Sequence, residues 1–295
     1  MRHLLIAVAA AALLANSAYA QAAQDPQATY KAVGAKAGPP AATIAYGAAP
    51  QQVGDLRKPA GAGPFPVAVV IHGGCWRADF DNRLSTSAFA EALGKRGFAT
   101  WNIEYRRLGD AGGGWPGTFE DIGAAVDKLS GIAAEHRLDL SRVVIVGHSS
   151  GAHLALWAAS RSRLPAPWSS VAVKPASVVA IDGPAALAPL IGADAQFCGL
   201  PVILPFMGGS PAEKPGPYDI ASPANHLPLG VRQLAVEAEL GGLMQPYISA
   251  VRASGDPIEV LRPEKANHFD IVTPGSPNGE AVLDFIAAKA LPKPE

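Results

Sequence analysis

Short apolar runs alternate along this chain with longer stretches of helical periodicity. The runs at 67–71, 98–103, 143–146, 178–181, 234–236 and 258–261 are dense in Val, Ile, Leu and Ala and read as strands. Between them, 118–135 sets Phe119, Ile122, Val126 and Leu129 on one face after the turn signal Pro116-Gly117, and 150–160 carries Leu154 and Trp157. A last helical pattern lies around 281–290. This alternation predicts an α/β fold in which a mostly parallel central sheet is flanked by helices.

Two stretches break the pattern. Residues 21–40 are rich in Ala, Gln, Gly and Pro without apolar period, and they are expected to form a flexible lead-in to a domain spanning 41–295. Residues 183–229 dissolve into Pro, Gly and apolar clusters, too long for a simple connection, and are expected to form a cap or lid over the site. Ahead of both, Arg2, the apolar run 4–15 and the small-x-small site Ala18-Tyr19-Ala20 have the layout of a secretory signal peptide cleaved after Ala20. That reading places the mature protein in the periplasm or outside the cell, with no stable membrane insertion after cleavage.

Composition narrows the functional classes. Loss of Arg2, the only charged side chain of segment 1–20, takes the formal charge from −1 to −2, a balance that predicts no nucleic-acid partner. The two cysteines, Cys75 and Cys198, are too few for a disulfide framework. They are expected as free thiols, with a mutual bond as the alternative that export would allow.

The candidate chemistry sits at strand ends. Strand 143–146 runs into Gly147-His148-Ser149-Ser150-Gly151 and then into a helix pattern. This is the setting of a sharp strand-to-helix turn that lifts a serine hydroxyl clear of the sheet, with glycines at 147 and 151 relieving crowding. Ser149 is the candidate nucleophile. The helix that follows aims its N-terminal amides at the site, so the Ser150 N–H is a candidate oxyanion donor. His72-Gly73-Gly74-Cys75-Trp76 follows strand 67–71, and the amides of Gly74 and Cys75 are the other two candidates.

A serine needs a base, and the base needs a carboxylate that fixes its tautomer. Of the histidines, His268 in Asn267-His268-Phe269-Asp270 follows the last strand and is the candidate base. Glu239, just past strand 234–236, is the candidate acid. Glu237, on the same face, and Asp182, at the end of strand 178–181, are the others. Gly112-Gly113-Gly114 lacks the phosphate-loop lysine and dinucleotide spacing, and nothing has zinc-cluster spacing.

The motifs around His72, Ser149 and His268 together resemble the α/β-hydrolase superfamily, particularly carboxylesterases and kynurenine-formamidase-like members, over most of residues 41–290. The resemblance implies ester cleavage by a triad of Ser149, His268 and Glu239 on a small-molecule acyl substrate, with no metal or organic cofactor. In such relatives the acid is more often an aspartate. An arylformamidase-like amide hydrolase, a small peptidase and an inactive binding module are the competing expectations. The apolar residues Phe197, Leu204 and Phe206 of the irregular segment point to a hydrophobic acyl group.

Overall fold

The computed structural model describes residues 25–291; the expected signal peptide at 1–20 lies outside the described residues. Eight strands form one sheet: β1 (Ala42–Ala45), β2 (Val53–Arg57), β3 (Phe65–Ile71), β4 (Ala99–Ile103), β5 (Leu138–His148), β6 (Ser177–Ile181), β7 (Arg232–Val236) and β8 (Ile258–Leu261). Their spatial order is β1-β2-β4-β3-β5-β6-β7-β8. The pairs β1–β2 and β2–β4 are antiparallel, and every pairing from β4 through β3 to β8 is parallel. The expected mostly parallel sheet is therefore present, with an antiparallel edge that the sequence pattern did not announce.

Helices cover both faces: α1 (Pro26–Gly34), α2 (Ser87–Lys95), α3 (Gly117–His136), α4 (Ser150–Ser160), the short α5 (Asp194–Cys198), α6 (Ile203–Met207) and α7 (Pro215–Ile220), then α8 (Gly241–Ser254) and α9 (Pro277–Lys289). Central strands buried on both faces read as continuous apolar runs, which is why β3 and β5 stood out in the sequence. The two faces feed two clusters. One gathers Val69, Ile145, Phe119, Trp157 and Phe206; the other gathers Val70, Val146, Phe89, Val282 and Ile286. All eleven residues of α4 are buried, so this helix is a core element with its N-terminus at the strand ends.

The lead-in is not a flexible segment throughout. Asp25 caps α1 by accepting from the Gln27 amide at 2.9 Å, and Pro26 stands at its first position. Tyr30 anchors the helix: its ring lies 5.8 Å from Phe269 and 6.1 Å from His148, and it is 1% exposed. The irregular stretch 183–229 divides into two parts. Residues from Pro184 to Cys198 line the site described below. The later part packs on α4, where the carbonyls of Ile220 and Ala221 accept from Trp157 Nε1 (3.1 Å) and His153 Nε2 (2.7 Å). No described helix is long and apolar enough to cross a membrane.

Candidate active site

The C-terminal ends of the parallel strands deliver the polar residues, as open α/β sheets do. β3 leads to His72 and Gly74, β5 to Ser149, β6 to Asp182, and the loop from β8 to α9 carries His268. Ser149 has φ 57° and ψ −124°, a backbone conformation that costs a non-glycine residue about 1–3 kcal/mol. Among the described residues six non-glycines have positive φ, and four of them, Cys75, Trp76, Ser149 and Asp182, surround this site. Backbone strain is thus concentrated where the side chains converge. The expected need for glycine at 147 and 151 is met geometrically: a Cβ at Gly147 would overlap the Gly151 carbonyl, and one at Gly151 would overlap the carbonyls of Ile71 and His72.

The geometry corrects the expected acid. His268 Nδ1 lies 2.8 Å from Asp182 Oδ2, and neither Glu239 nor Glu237 reaches the ring. Asp182 is fully buried, and its carboxylate also accepts from the amides of Ala238 (2.9 Å) and Leu240 (3.0–3.1 Å). Burial alone would push this carboxyl up; the bonds from His268 and from the two amides outweigh it and hold the group below the usual carboxylate range. Glu239 is exposed and accepts from the His268 backbone amide at 3.2 Å. Glu237 is buried but turns to Gln245 and Arg262.

His148 supports the base from behind. Its Nε2–H donates to the His268 carbonyl at 2.8 Å, and the two rings lie 4.5 Å apart. Burial, and then the neighbouring His268, push its pKa well below the usual imidazole value, so a neutral ring packs there.

Among the described residues, no oxygen accepts from the amides of Gly74, Cys75 or Ser150, the three expected oxyanion donors. The loop that carries the first two stands on a buried polar network. His72 Nε2 is 2.8 Å from Glu104 Oε1, Tyr105 Oη donates to the His72 carbonyl at 2.8 Å, and Arg107 reaches Glu104 at 3.4 Å. Burial would raise the Glu104 carboxyl, but His72, Arg107 and the Arg83 amide bring it down to about 2. Glu104 and Asp182 are the site residues that motif reading passed over or ranked last; both directly follow strands, which was the available signal.

The cysteines also depart from expectation: Cys75 and Cys198 form a disulfide, spanning 123 residues and joining the glycine loop to the end of α5. Two cavities flank Ser149. The larger, about 220 Å³, is lined by Ser149, His268, Gln27, Asp81, Gln196 and Glu239, among others. The smaller, about 40 Å³, is almost wholly apolar and lies under the disulfide. Phe197 borders both, whereas Phe206 is core against Trp76 and Leu204 points outward, so of the three expected acyl contacts only Phe197 reaches the site.

Comparison with known proteins agrees with this architecture. The BD-FAE family matches residues 55–229, which include Ser149 and Asp182. No curated protein sequence matches the chain. Among solved structures, esterase B from Lactobacillus rhamnosis, inhibited by a tributyrin phosphonate, is 23% identical, with a TM-score of 0.72 and 94% of each chain covered. The butyrate-bound esterase Est2 from Thermogutta terrifontis is 16% identical over 87% of this chain and 97% of that one, with a TM-score of 0.66. A bifunctional GH43-CE protein of Bacteroides eggerthii is 23% identical with a TM-score of 0.67; the match covers 84% of this chain but 37% of that longer one. These likenesses identify the α/β-hydrolase fold.

Proposed function

From the premise that this chain belongs to the BD-FAE family, we propose that it is an exported serine esterase in which Ser149, His268 and Asp182 cleave a carboxylic ester by acyl transfer. The observation that carries this reading is the 2.8 Å bond from His268 to buried Asp182, with His268 and Ser149 sharing one cavity. Bonded through Nδ1, the ring keeps Nε2 for the serine. It takes the Oγ proton as Oγ attacks the ester carbonyl, and the amides of Gly74, Cys75 and Ser150 receive the developing oxyanion. Collapse expels the alcohol with the proton from His268. Water, activated by the same nitrogen, then releases the acid and regenerates Ser149. Asp182 fixes the tautomer and stabilises the imidazolium; Glu239 holds the loop through the His268 amide.

The structural neighbours, esterases with a butyrate or a phosphonate bound, support ester rather than amide chemistry. Hydrolysis of a short aryl ester by the mature protein, lost in Ser149→Ala together with labelling by a serine-directed phosphonate, is the test. A wild-type protein inert to both would overturn the proposal.

Export rests on the signal-like segment 1–20 and on the Cys75–Cys198 bond, since disulfides persist in oxidising compartments. N-terminal sequencing of protein recovered outside the cytoplasm should begin at Gln21; full-length protein retained in the cytoplasm would refute it.

A further inference from the structure

We infer that the Cys75–Cys198 disulfide is the wall that sets acyl-chain length, making Cys198 a specificity-determining residue of the esterase proposed above, on which reading the inference rests. The two cavities on either side of Ser149 are chemically unequal. His268 lines only the larger one. Because the base must return its proton to the departing oxygen, the alcohol leaves on the His268 side. The acyl chain then occupies the smaller lobe, bounded by Leu190, Phe197, Leu240, Leu243 and the disulfide. At about 40 Å³ it has room for about two or three heavy atoms beyond the carbonyl carbon.

The disulfide does more than fill space there. Cys75 belongs to the strained glycine loop, at φ 53°, and Cys198 ends α5, the five-residue helix that carries Phe197. Arg77 Nη1 also donates to the Cys198 carbonyl at 2.8 Å, so α5 is tied to the loop twice, by a covalent bond and a hydrogen bond. Removing the Cys198 sulfur takes away one wall of the lobe and frees Phe197 to swing outward, while Arg77 still holds the helix end.

The test compares kcat/KM for p-nitrophenyl acetate, butyrate, hexanoate and octanoate across oxidised wild type, Cys198→Ala, and wild type reduced by dithiothreitol. In the reduced sample the bond becomes two thiols as dithiothreitol closes its own ring disulfide. Oxidised wild type is expected to favour acetate over octanoate about 100-fold, and both perturbations to cut that ratio at least 10-fold. Dithiothreitol should not change the ratio for Cys198→Ala. General destabilisation lowers all rates together and leaves the ratio alone. Leu190→Ala, in the same wall but outside the bond, should shift the ratio the same way and serves if Cys198→Ala does not fold. An active wild type whose ratio is unmoved by reduction and by these substitutions overturns this inference alone; a wild type inert to every chain length overturns the esterase reading and this inference with it.

Discussion

Asp182 Oδ2 sits 2.8 Å from His268 Nδ1 although 86 residues separate the two, and Asp182 leaves the end of β6 rather than that of β7. Two main-chain amides from the segment after β7 point at its carboxylate, so the acid and the loop that was expected to supply it are locked together. Asp182→Asn should therefore lower kcat on an aryl ester by about 10³–10⁴-fold, the loss expected when the imidazole is held in the wrong tautomer. Glu239→Gln keeps an acceptor for the His268 amide and should cost less than about 10-fold. Steady-state kinetics on the two variants decide between the acids, and the reverse ranking would restore Glu239 to the triad.

Position along the chain reports which strand end a residue follows, but not which way a loop turns its side chain. Asp182 follows β6 immediately, whereas two residues part Glu239 from β7; the left-handed φ of 46° and the full burial that orient the Asp182 carboxylate are not visible in sequence. By contrast Ser149 and the glycine loop were legible because steric demand leaves few residue types at those positions. Strands β3 to β7 were legible because burial on both faces gives largely apolar runs, and the half-buried edge strand β8 because Ile258, Val260 and Leu261 keep it apolar. β1 and β2 escaped because they are short and lie toward the antiparallel edge. Helix α1 escaped because its anchors, Tyr30 against His148 and Phe269 and Lys31 on the Phe80 carbonyl, are contacts to distant parts of the chain. Helix α8 begins at Gly241-Gly242 and contains Pro246, so its composition hides it.

Gly183 follows Asp182 directly, and the backbone around it leaves no space for a side chain. A Cβ there would overlap the Ser149 carbonyl oxygen and press on the Ala152 side chain, and a clash with backbone is not relieved by turning a side chain. Gly183→Ala should displace the strained Ser149 turn, reducing kcat at least 100-fold and lowering Tm by several degrees, an overpacking cost of about 1–3 kcal/mol. Kinetics and thermal unfolding on the same sample check both effects.

The buried Glu104–His72 pair predicts the acid limit of stability. In the fold the Glu104 carboxyl is held down to about 2 against its ordinary 4.5, so its contribution is fully present above the unfolded value. It is lost as pH falls from about 4.5 to about 2. The shift corresponds to on the order of 3 kcal/mol at neutral pH. Denaturant unfolding should show Glu104→Gln destabilised by that order at pH 7, with the gap to wild type narrowing below about pH 4.5 and closing only as pH nears 2. A constant gap across that window would mean that the carboxylate charge is not what the network stores.

The larger cavity predicts a preference among leaving groups. Asp81 and Glu239 line it, and among its described lining residues there is no Lys or Arg. A leaving group with negative charge must approach both carboxylates, whereas a neutral or cationic one does not. In an open, partly screened cavity each such interaction is worth about 1 kcal/mol, so the pair gives roughly 10–30-fold discrimination. Aryl acetates matched in size and carrying a para trimethylammonium, methyl or carboxylate group should then rank in that order of kcat/KM at low salt, with the spread shrinking at 1 M salt, where the Debye length is about 3 Å. Glu239→Gln should narrow the spread several-fold while leaving the neutral ester nearly unchanged. If the anionic ester reacts as fast as the cationic one at low salt, the cavity field does not select the alcohol, and its polar lining acts through hydrogen bonds to hydroxyl groups instead.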